Sequence, residues 1–301
     1  AELTAQLAAS AREVVASHVT TANTPPRSVS PLCDWPLAAL VAQPTATMRA
    51  IATAPALPRT ADARLPELPL GIEFKGGVRV VELQSDCPFR AAAALRLHAG
   101  AWPRPGIGLT AMERGNLVHA AMASLWSSLQ DQATLRQLDD VGLHARIAAA
   151  VKVARDGIAE SRWRAMPAVI AGGEASRLAA VIFAFLREHE SLRPPFRVLW
   201  NERKFDLAIG GVKLALRIDR VDAIDDGVAV IDYKTGGLPS VNQWLLARPV
   251  APQTGLYALA LRQHDPAQRV RAVALASIKS GAFATLGIAD EGAQWPGLKT
   301  P

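Results

Sequence analysis

The sequence has little cysteine and no apolar run long enough to span a membrane. It contains two cysteines, Cys33 and Cys87, in 301 residues. Two cysteines so far apart build neither a disulfide scaffold nor a four-cysteine metal site, so we expect a reduced, cytoplasmic setting. A membrane helix needs about 20 consecutive apolar residues, and the sequence has no uninterrupted run that approaches this length, so we expect no membrane partner.

Several common nucleotide and hydrolase motifs are also missing. No Gly-x-x-x-x-Gly-Lys-Ser/Thr loop occurs, which argues against motor chemistry driven by a nucleotide. Gly106-Ile107-Gly108 is too short for a dinucleotide fingerprint. The sequence has neither a Gly-x-Ser-x-Gly elbow nor a His-Glu-x-x-His helix, so it lacks the signatures of serine hydrolases and zinc proteases.

The residues that are present describe a folded, basic protein. Half of the sequence is hydrophobic, which is enough to bury a core. The net charge of +6 favours a polyanionic partner such as nucleic acid, although an ordinary soluble domain with spare arginines has the same balance. The chain begins at Ala1 without a basic region and apolar core, so we expect no signal peptide and a piece of a longer protein.

The chain changes in texture along its length. Residues 1–19 predict a short helix, and the proline-rich stretch that follows, up to Pro69, predicts a surface linker with a short helix near Leu37–Val41. We assign residues 1–75 to a linker or the remnant of a preceding region, and residues 76–301 to one domain. Within that domain, residues 84–192 are predicted to be helical and residues 196–280 to form a β-rich core.

Periodicity and capping signals predict the individual elements. Thr110 and Glu113 form a capping-box pattern at the start of a helix that runs to Leu129, with apolar residues at four-residue spacing. The other predicted helices cover 88–99, 133–160, 174–190 and 252–264. The predicted strands cover 78–83, 196–208, 212–223 and 228–234, with a last strand at 270–278.

Residues 217–236 are the most informative stretch. They predict two short strands, of which the first carries Asp219 and the second ends in Asp232-Tyr233-Lys234. Burying an unpaired charge is costly, so two acids and a lysine at the end of an apolar hairpin call for a metal ion or an anionic substrate.

The two turns predict which residues face each other. With Gly210-Gly211 as a two-residue loop, Glu202 lies across from Asp219, and two like charges in that position favour a cation between them. With Asp226-Gly227 as the next loop, Asp219 faces Lys234, and a slip of that loop by one residue leaves the face unchanged. Four side chains are therefore predicted to project from one face, although a solvated sheet with alternating charges has the same pattern: Glu202, Asp219, Asp232 and Lys234.

This set of residues suits the metal-assisted hydrolysis of a phosphodiester. Mg²⁺ prefers oxygen ligands, and a bound metal polarises a phosphate and lowers the pKa of a bound water. Lys234 can orient that water or offset the charge that develops on the phosphate. Acyl transfer fits poorly, because no activated nucleophile stands beside the carboxylates.

Three further residues are weaker candidates. His119 lies on the long helix, four residues after Gly115, and a neutral imidazole binds Mn²⁺ and similar ions. Gln253 and Tyr257 share one face of a helix and could hold a phosphate or a base. Each of the three is also an ordinary helix residue when it is considered alone.

Taken in order, these segments resemble the RecB/AddB-type branch of the PD-(D/E)XK nuclease superfamily. The resemblance covers residues 84–257, and its most specific parts are the Asp-Arg-Val-Asp and Asp-Tyr-Lys-Thr-Gly sequences. The matching segments are Gln84–Arg90 with Leu95–Leu97, Gly115–His119, Glu202, Arg217–Asp222, Ile231–Gly236, and Gln253 with Tyr257.

The resemblance implies an α/β fold and a set of residue roles. The fold would be a restriction-endonuclease-like core, a mixed central sheet flanked by helices, with a largely helical N-terminal portion. The implied metal ligands are His119, Asp219, Asp232 and the carbonyl of Tyr233. Lys234 would be the catalytic lysine, and Asp219, Asp232 and Glu202 would share the catalytic site. The implied substrate-binding residues are Gln253, Tyr257, Arg220 and Thr235.

The resemblance also implies a function. It predicts a DNA exonuclease that depends on Mg²⁺ or Mn²⁺ and acts in DNA repair or recombination. The implied partners are DNA and either a helicase subunit or a helicase-like N-terminal part of the same chain. The alternative is a catalytically silent DNA-binding or scaffolding module of a repair complex.

Two departures from the family pattern affect these expectations. The family often has glycine three residues before the first aspartate, where this chain has Leu216. AddB-type members carry four cysteines for an iron–sulfur cluster, whereas here only Cys87 stands at such a position. We therefore expect no iron–sulfur cluster.

Overall fold

The computed structural model describes residues 73–100, 108–157, 166–279, 283–291 and 297–300, with single positions elsewhere. The chain divides into two units, Ala1–Arg64 and Leu65–Pro301, and the elements below belong to the second. The predicted helix over residues 1–19 and the predicted linker up to residue 75 fall almost wholly outside the described residues. Their assignment stays a prediction.

The first described elements differ from the prediction. A two-residue strand, β1 (Glu73–Phe74), is followed by helices α1 (Val78–Asp86) and α2 (Pro88–Leu95). The strand predicted at 78–83 is therefore wrong. Valines favour strands by local propensity, but the helix buries Leu83 and packs its valines against the core, and this tertiary contact decides the conformation.

A glycine starts helix α1. Gly77 has a φ of 53°, and a Cβ at this position would lie 2.9 Å from the carbonyl oxygen of Ala215. Only glycine accepts both that conformation and that close approach. The turn before α1 is thus set by contact with a strand far along the chain.

Helix α3 (Ala111–Leu129) confirms the predicted capping box. The Thr110 hydroxyl accepts the backbone N–H of Glu113 at 3.2 Å, and the Glu113 carboxylate accepts the backbone N–H of Thr110 at 2.7 Å. These two bonds satisfy N–H groups that have no partner within the helix. The predicted apolar stripe of α3 is buried, from Leu117 to Leu129.

The helix predicted at 133–160 is two helices, α4 (Gln132–Gln137) and α5 (Asp140–Asp156). Each has its own aspartate cap, because Asp131 accepts the N–H of Thr134 and Asp139 accepts the N–H of Gly142, both at 2.7 Å. Periodicity alone does not reveal such a break, since apolar residues on the two helices bury against the same core.

Helix α6 (Ala168–Glu188) begins earlier than predicted and continues into a 3₁₀ turn, Glu190–Leu192. By length and composition, residues 168–192 are apolar enough to cross a membrane. Leu178, Ile182 and Phe185 are nevertheless buried in the core that α6 shares with α3 and α5.

The described strands form one mixed, six-stranded sheet, which confirms the predicted fold class. The remaining elements are β2 (Arg197–Ile209), β3 (Val212–Ile224), β4 (Gly227–Lys234), α7 (Gln253–His264), β5 (Val270–Ser277) and β6 (Ala284–Ala289). The order in the sheet is β1-β3-β4-β5-β6, and β2 pairs with β3. Strands β4 and β5 are parallel and are joined through helix α7, whereas β2–β3, β3–β4 and β5–β6 are antiparallel.

Strand β6 was not predicted. It follows the predicted last strand and pairs antiparallel with it, from Ala272–Ala289 to Ser277–Ala284. Its sequence, Ala-Thr-Leu-Gly-Ile-Ala, has weak strand propensity, so its pairing with β5 rather than its own pattern makes it a strand.

Helices cover the sheet on two sides. One core holds α3, α5 and α6 together with Ala229, Ile231 and Tyr233 of β4. The other holds α7 together with Val228 and Val230 of the same strand. The alternation along β4 therefore separates an α3 side of the sheet from an α7 side.

Candidate active site

The pair Glu202 and Asp219 forms the centre of the candidate site. Ile209 pairs with Val212, so Gly210-Gly211 is the predicted two-residue loop. Glu202 and Asp219 then lie across from each other, between two flanking pairs of the ladder. The prediction of this opposed pair of carboxylates is confirmed.

The second loop is shifted by one residue from the predicted Asp226-Gly227. Ile224 pairs with Gly227, so the loop consists of Asp225-Asp226 rather than Asp226-Gly227. The ladder between β3 and β4 ends at the pair Arg220 and Ile231. Beyond this pair the two strands separate, and the separation opens the end of the sheet where Asp219 and Asp232 lie.

Both β2 and β3 change face at Glu202 and Asp219. Ile218 and Val221 are three residues apart, yet both pack on the α7 side. On β2, the rings of Trp200 and Phe205, five residues apart, contact each other with centroids at 5.7 Å. Strict alternation would put the members of each pair on opposite faces.

The backbone of Glu202 accompanies this change of face. Its φ of 47° is in the left-handed region, which is uncommon for a residue other than glycine. The alternation of side chains shifts by one residue in both strands at the same pair, so the pairing of the two strands is kept. The two carboxylates lie where the side chains change from one face of the sheet to the other. Irregular strands of this kind often re-aim side chains beside active sites.

The four predicted residues do not all project from one face. Asp232 and Lys234 alternate with residues that pack against α3, so they lie on the α7 side. Asp219 instead reaches His119, which comes from α3 on the other side. The site therefore lies at the end of the sheet between α3 and α7, and the change of face at Asp219 explains the difference.

Asp219 is held by two contacts. Its Oδ2 accepts the backbone N–H of Tyr233 at 2.8 Å and lies 3.1 Å from Nδ1 of His119. The first contact takes the place of a backbone hydrogen bond between β3 and β4, because the two strands are no longer paired at Asp219. The carboxylate is thereby fixed in place and buried.

His119 lies between two carboxylates. Its Nδ1 is 3.1 Å from Asp219 and 3.6 Å from Glu202. Burial by itself lowers the pKa of His119, but the hydrogen bonds to Asp219 and Glu202 and the nearby charges outweigh it and raise this pKa to about 10. The ring holds a proton that a metal ion would have to displace.

Asp232 is fully buried, and its Oδ2 lies 2.7 Å from Nζ of Lys234, with which it forms an ion pair. Burial raises the pKa of Asp232 to about 7, the charge of Asp219 adds to the rise, and Lys234 opposes it. A buried carboxylate beside a second carboxylate is suited to a cation.

Lys234 begins a chain of polar contacts. Its ammonium donates to Oε1 of Gln253, and Nε2 of Gln253 donates to the Tyr257 hydroxyl at 2.7 Å. Burial raises the pKa of Tyr257, so the phenol stays neutral. Gln253 and Tyr257 share a helix face, as predicted, and the structure brings them to the lysine. Their predicted substrate-binding role stays a prediction.

Thr235 lies beside helix α3. A Cβ placed on Gly115 would lie 3.6 Å from Oγ1 of Thr235, an ordinary contact distance. Glycine at this position leaves room between α3 and the end of β4. The substrate-binding role predicted for Thr235 and the metal-binding role predicted for the Tyr233 carbonyl stay predictions.

Arg220 does not face the site. Its side chain is fully buried and donates to Asp222 at 2.6 Å and to the Tyr233 hydroxyl at 2.8 Å. The guanidinium also lies over the Trp126 ring, 4.1 Å from the centroid. The predicted contact with substrate is corrected, because the side chain has no route to it and serves the α3 side of the core instead.

Two members of this buried cluster, Glu190 and Arg193, were not predicted. Arg193 pairs with Glu190 at 3.0 Å and with Asp222 at 3.0 Å, and Glu190 pairs with Arg220 at 2.9 Å. Glu190 and Arg193 are three residues apart, in a stretch that also carries Arg187, Glu188 and His189. The spacing is a signal for local pairing, but nothing local indicates the partners on β3.

Arg217 is a further missed residue. Its Nε lies 2.8 Å from Oε2 of Glu202, and the side chain is largely exposed. Because Glu202 faces Asp219, Arg217 is its diagonal neighbour on β3, a position from which long side chains interact. The predicted pairing of Glu202 with Asp219 therefore already indicated that Arg217 could reach Glu202.

The residues fit a divalent cation. Ligand atoms of His119, Glu202 and Asp219 all lie within 4.8 Å of one another. Asp232 adds a buried carboxylate, which pairs with the ammonium of Lys234. Carboxylates with one imidazole suit Mg²⁺ or Mn²⁺. The geometry adds Glu202, predicted as a catalytic residue, to the candidate ligands.

Comparison with known proteins agrees with this geometry. A family model described as the PD-(D/E)XK nuclease superfamily matches residues 78–291. The matched span contains His119, the Glu202–Asp219 pair, Asp232 and Lys234. A search of curated proteins finds no match to the chain.

Proposed function

Because the chain belongs to the PD-(D/E)XK nuclease superfamily, we propose that it is a DNA nuclease that depends on Mg²⁺ or Mn²⁺. Membership implies a metal-dependent nuclease. The choice of DNA, the exonuclease mode and a role in repair or recombination are our proposals. The observation that carries them is the convergence of His119, Glu202 and Asp219 with Asp232 and Lys234 at one end of the sheet.

Each residue has a defined task. Asp219 and Asp232 would hold the cation with His119 and the Tyr233 carbonyl, and Glu202 is placed to join them. A bound divalent cation supplies Lewis acidity toward the phosphate and lowers the pKa of a water. Arg217 keeps Glu202 in position from outside the site.

Lys234 is the residue placed to act on the reacting groups. Its ammonium is held between Asp232 and Gln253 and is part-exposed, with 29% of the side chain accessible. It can donate to a phosphate oxygen or orient a water. Gln253, fixed by Tyr257, limits the positions that the ammonium can take.

We further propose that the chain belongs to the RecB/AddB-type branch. The support is the order of the matching segments from Gln84 to Tyr257, with the Asp-Arg-Val-Asp and Asp-Tyr-Lys-Thr-Gly sequences. Modules of this branch act with helicases, so a helicase subunit or a helicase-like part of the same chain is the proposed partner. DNA is the proposed substrate.

The test compares DNA degradation by the parent chain and by Lys234→Ala. The parent should degrade linear DNA in Mn²⁺ or Mg²⁺ and leave closed circular DNA intact. Lys234→Ala should lose about 100-fold or more of the rate, as the loss of a donor to a developing charge does in other enzymes. Lys152→Ala removes an exposed lysine of α5 and serves as the matched control.

The outcomes separate the alternatives. Equal rates for the parent and Lys234→Ala would contradict a catalytic lysine. Cleavage of circular DNA would replace the exonuclease mode with an endonuclease mode. DNA binding without cleavage would favour the silent binding module.

A further inference from the structure

A groove runs along the outer side of strand β2, next to the metal site. Its volume is about 600 Å³. Its walls are the C-terminal part of α3 and the first half of β2. The lining includes Ser127, Gln130, Arg197, Trp200, Asn201 and Arg203.

The groove adjoins the proposed catalytic centre through the chain itself. Asn201 and Arg203 line it, and they flank Glu202, whose carboxylate lies 3.6 Å from His119. Neighbouring residues on a strand are separated by about 3.3 Å along the chain. The lining of the groove is therefore continuous along β2 with the residue that carries the Glu202 carboxylate.

Strand β2 leaves this side of the sheet open. Among the described strands it pairs with β3 alone. The segment after α3 covers its start, through Gln132 N–H to Phe196 and Val198 N–H to Gln130. Further along β2, Gln263 of α7 accepts the backbone N–H of Ala208 and donates to its carbonyl, so a ligand could lie along the edge between Val198 and Ala208.

Arg203 is held in place by aromatic rings. Its guanidinium carbon lies 4.4 Å from the centroid of Trp200 and 5.2 Å from that of Phe205. A guanidinium stacked on a ring keeps its charge and its outward N–H groups. The stack therefore presents a fixed cation at the end of the groove that lies closest to Glu202.

The groove has two arginines without a carboxylate partner in the described part of the chain, Arg197 and Arg203. Other arginines near the sheet are paired, Arg217 with Glu202 and Arg220 with Asp222. Six residues of strand separate Arg197 from Arg203, or about 20 Å when extended. Two cations at that spacing suit an extended polyanion.

We propose that this groove binds a single strand of nucleic acid and leads it to the metal site. Arg197 and Arg203 contact phosphates on one side of the bond to be cut. Cavities of about 300–1,000 Å³ enclose ligands of drug size, so the groove itself holds one or two nucleotides of a single strand that extends past it, and a duplex exceeds this volume. The proposal rests on the proposed nuclease function and names the strand form that the site accepts.

The experiment measures binding without catalysis. Fluorescence anisotropy in EDTA follows a labelled oligothymidine, and a labelled duplex of the same length is measured in parallel. The test variant is Arg197→Gln with Arg203→Gln. The matched control is Arg146→Gln with Lys152→Gln, which removes the same charge from the exposed face of α5.

The test variant should bind the single strand about tenfold or more weakly than the control variant, and its salt dependence should fall. Each phosphate contact contributes about 0.7 to the slope of log K against log salt for single strands, so two contacts predict a decrease of about 1.4. Equal affinities of the test and control variants would overturn the proposal. Equal losses on duplex and single strand would overturn the single-strand assignment.

A small diester separates this proposal from the proposed function. Bis-p-nitrophenyl phosphate does not extend into the groove, so its hydrolysis in Mn²⁺ reports on the metal site alone, and the control variant Arg146→Gln with Lys152→Gln should hydrolyse it at the parent rate. Lys234→Ala should not hydrolyse it. If the parent hydrolyses neither this diester nor DNA, the nuclease proposal fails, while the anisotropy result still decides whether the groove binds a single strand.

Discussion

His119 and Asp232 each hold a proton over a wider pH range than the free amino acids do. Hydrogen bonds to Asp219 and Glu202 overcome the effect of burial and raise the pKa of His119 to about 10. Burial raises the pKa of Asp232 to about 7. A metal ion needs the neutral imidazole and the ionised carboxylate, so metal and protons compete for the same atoms.

We predict that Mn²⁺ affinity rises with pH. Above about pH 7 Asp232 is mostly ionised, and the remaining competition is the proton of His119. Displacing one proton makes the affinity rise by at most about tenfold per pH unit until pH approaches the pKa of His119. Titration calorimetry at about pH 7 and about pH 8.5 measures the change.

His119→Gln is the control for this titration. It removes the proton together with the imidazole ligand, so binding should be weaker, and the rise in affinity between the same two pH values should be smaller because only Asp232 is left to ionise. A parent chain with the same dissociation constant at both pH values would contradict the competition.

Among the secondary-structure elements, the change of face in β2 and β3 depends on a cluster of buried charges on the α3 side of the sheet. Arg220 follows Asp219 directly and points to the α3 side, where Asp222, Glu190 and the Tyr233 hydroxyl hold it. Tyr233 in turn donates its backbone N–H to Asp219. The buried charges therefore position β3 and β4, which carry Asp219 and Asp232.

We predict that Arg220→Met destabilises the fold by about 3–5 kcal/mol, because it leaves Glu190 and Asp222 buried with one cation instead of two. Arg269→Met is the matched control. Arg269 pairs with Asp226 at the surface, where both side chains are more than half exposed, and such pairs contribute about 0–1 kcal/mol. Urea unfolding followed by circular dichroism gives both values, and similar losses would show that the cluster holds no special position.

At the scale of the whole molecule, the site joins elements that are distant in sequence. His119 comes from α3, Glu202 from β2, Asp219 from β3 and Asp232 from β4. A cation bound by all of them binds the folded chain and not the unfolded one. Such a ligand stabilises the fold in proportion to the logarithm of its concentration.

We predict that Mn²⁺ raises the melting temperature of the parent chain. At 100 times the dissociation constant the stabilisation is about 2.7 kcal/mol, which corresponds to roughly 5–10 °C for a domain of this size. Asp219→Asn should lose most of this rise. Asp226→Asn, which changes an exposed aspartate of the β3–β4 loop, should keep it. A rise that is equal in both variants would place the cation elsewhere.

Much of the fold could be predicted because its signals are local. The capping box at Thr110, the stripe along α3 and the Gly210-Gly211 loop depend on residues within a few positions of each other. The failures lie where distant contacts decide. Val78–Asp86 is a helix because of the core against which it packs, and Ala284–Ala289 is a strand because β5 pairs with it.

Local sequence signals specify which chemistry is available to this protein. Residue types and hairpin loops predicted the opposed carboxylates Glu202 and Asp219 and the nearby Asp232 and Lys234, because pairing across a short loop depends on chain geometry alone. The directions in which these groups point depend on contacts between distant elements. A slip shared by β2 and β3 keeps the pairing, so periodicity does not detect it, yet it turns Asp219 to His119 on α3 and buries Arg220. The groove along β2 likewise exists because a distant helix forms its second wall.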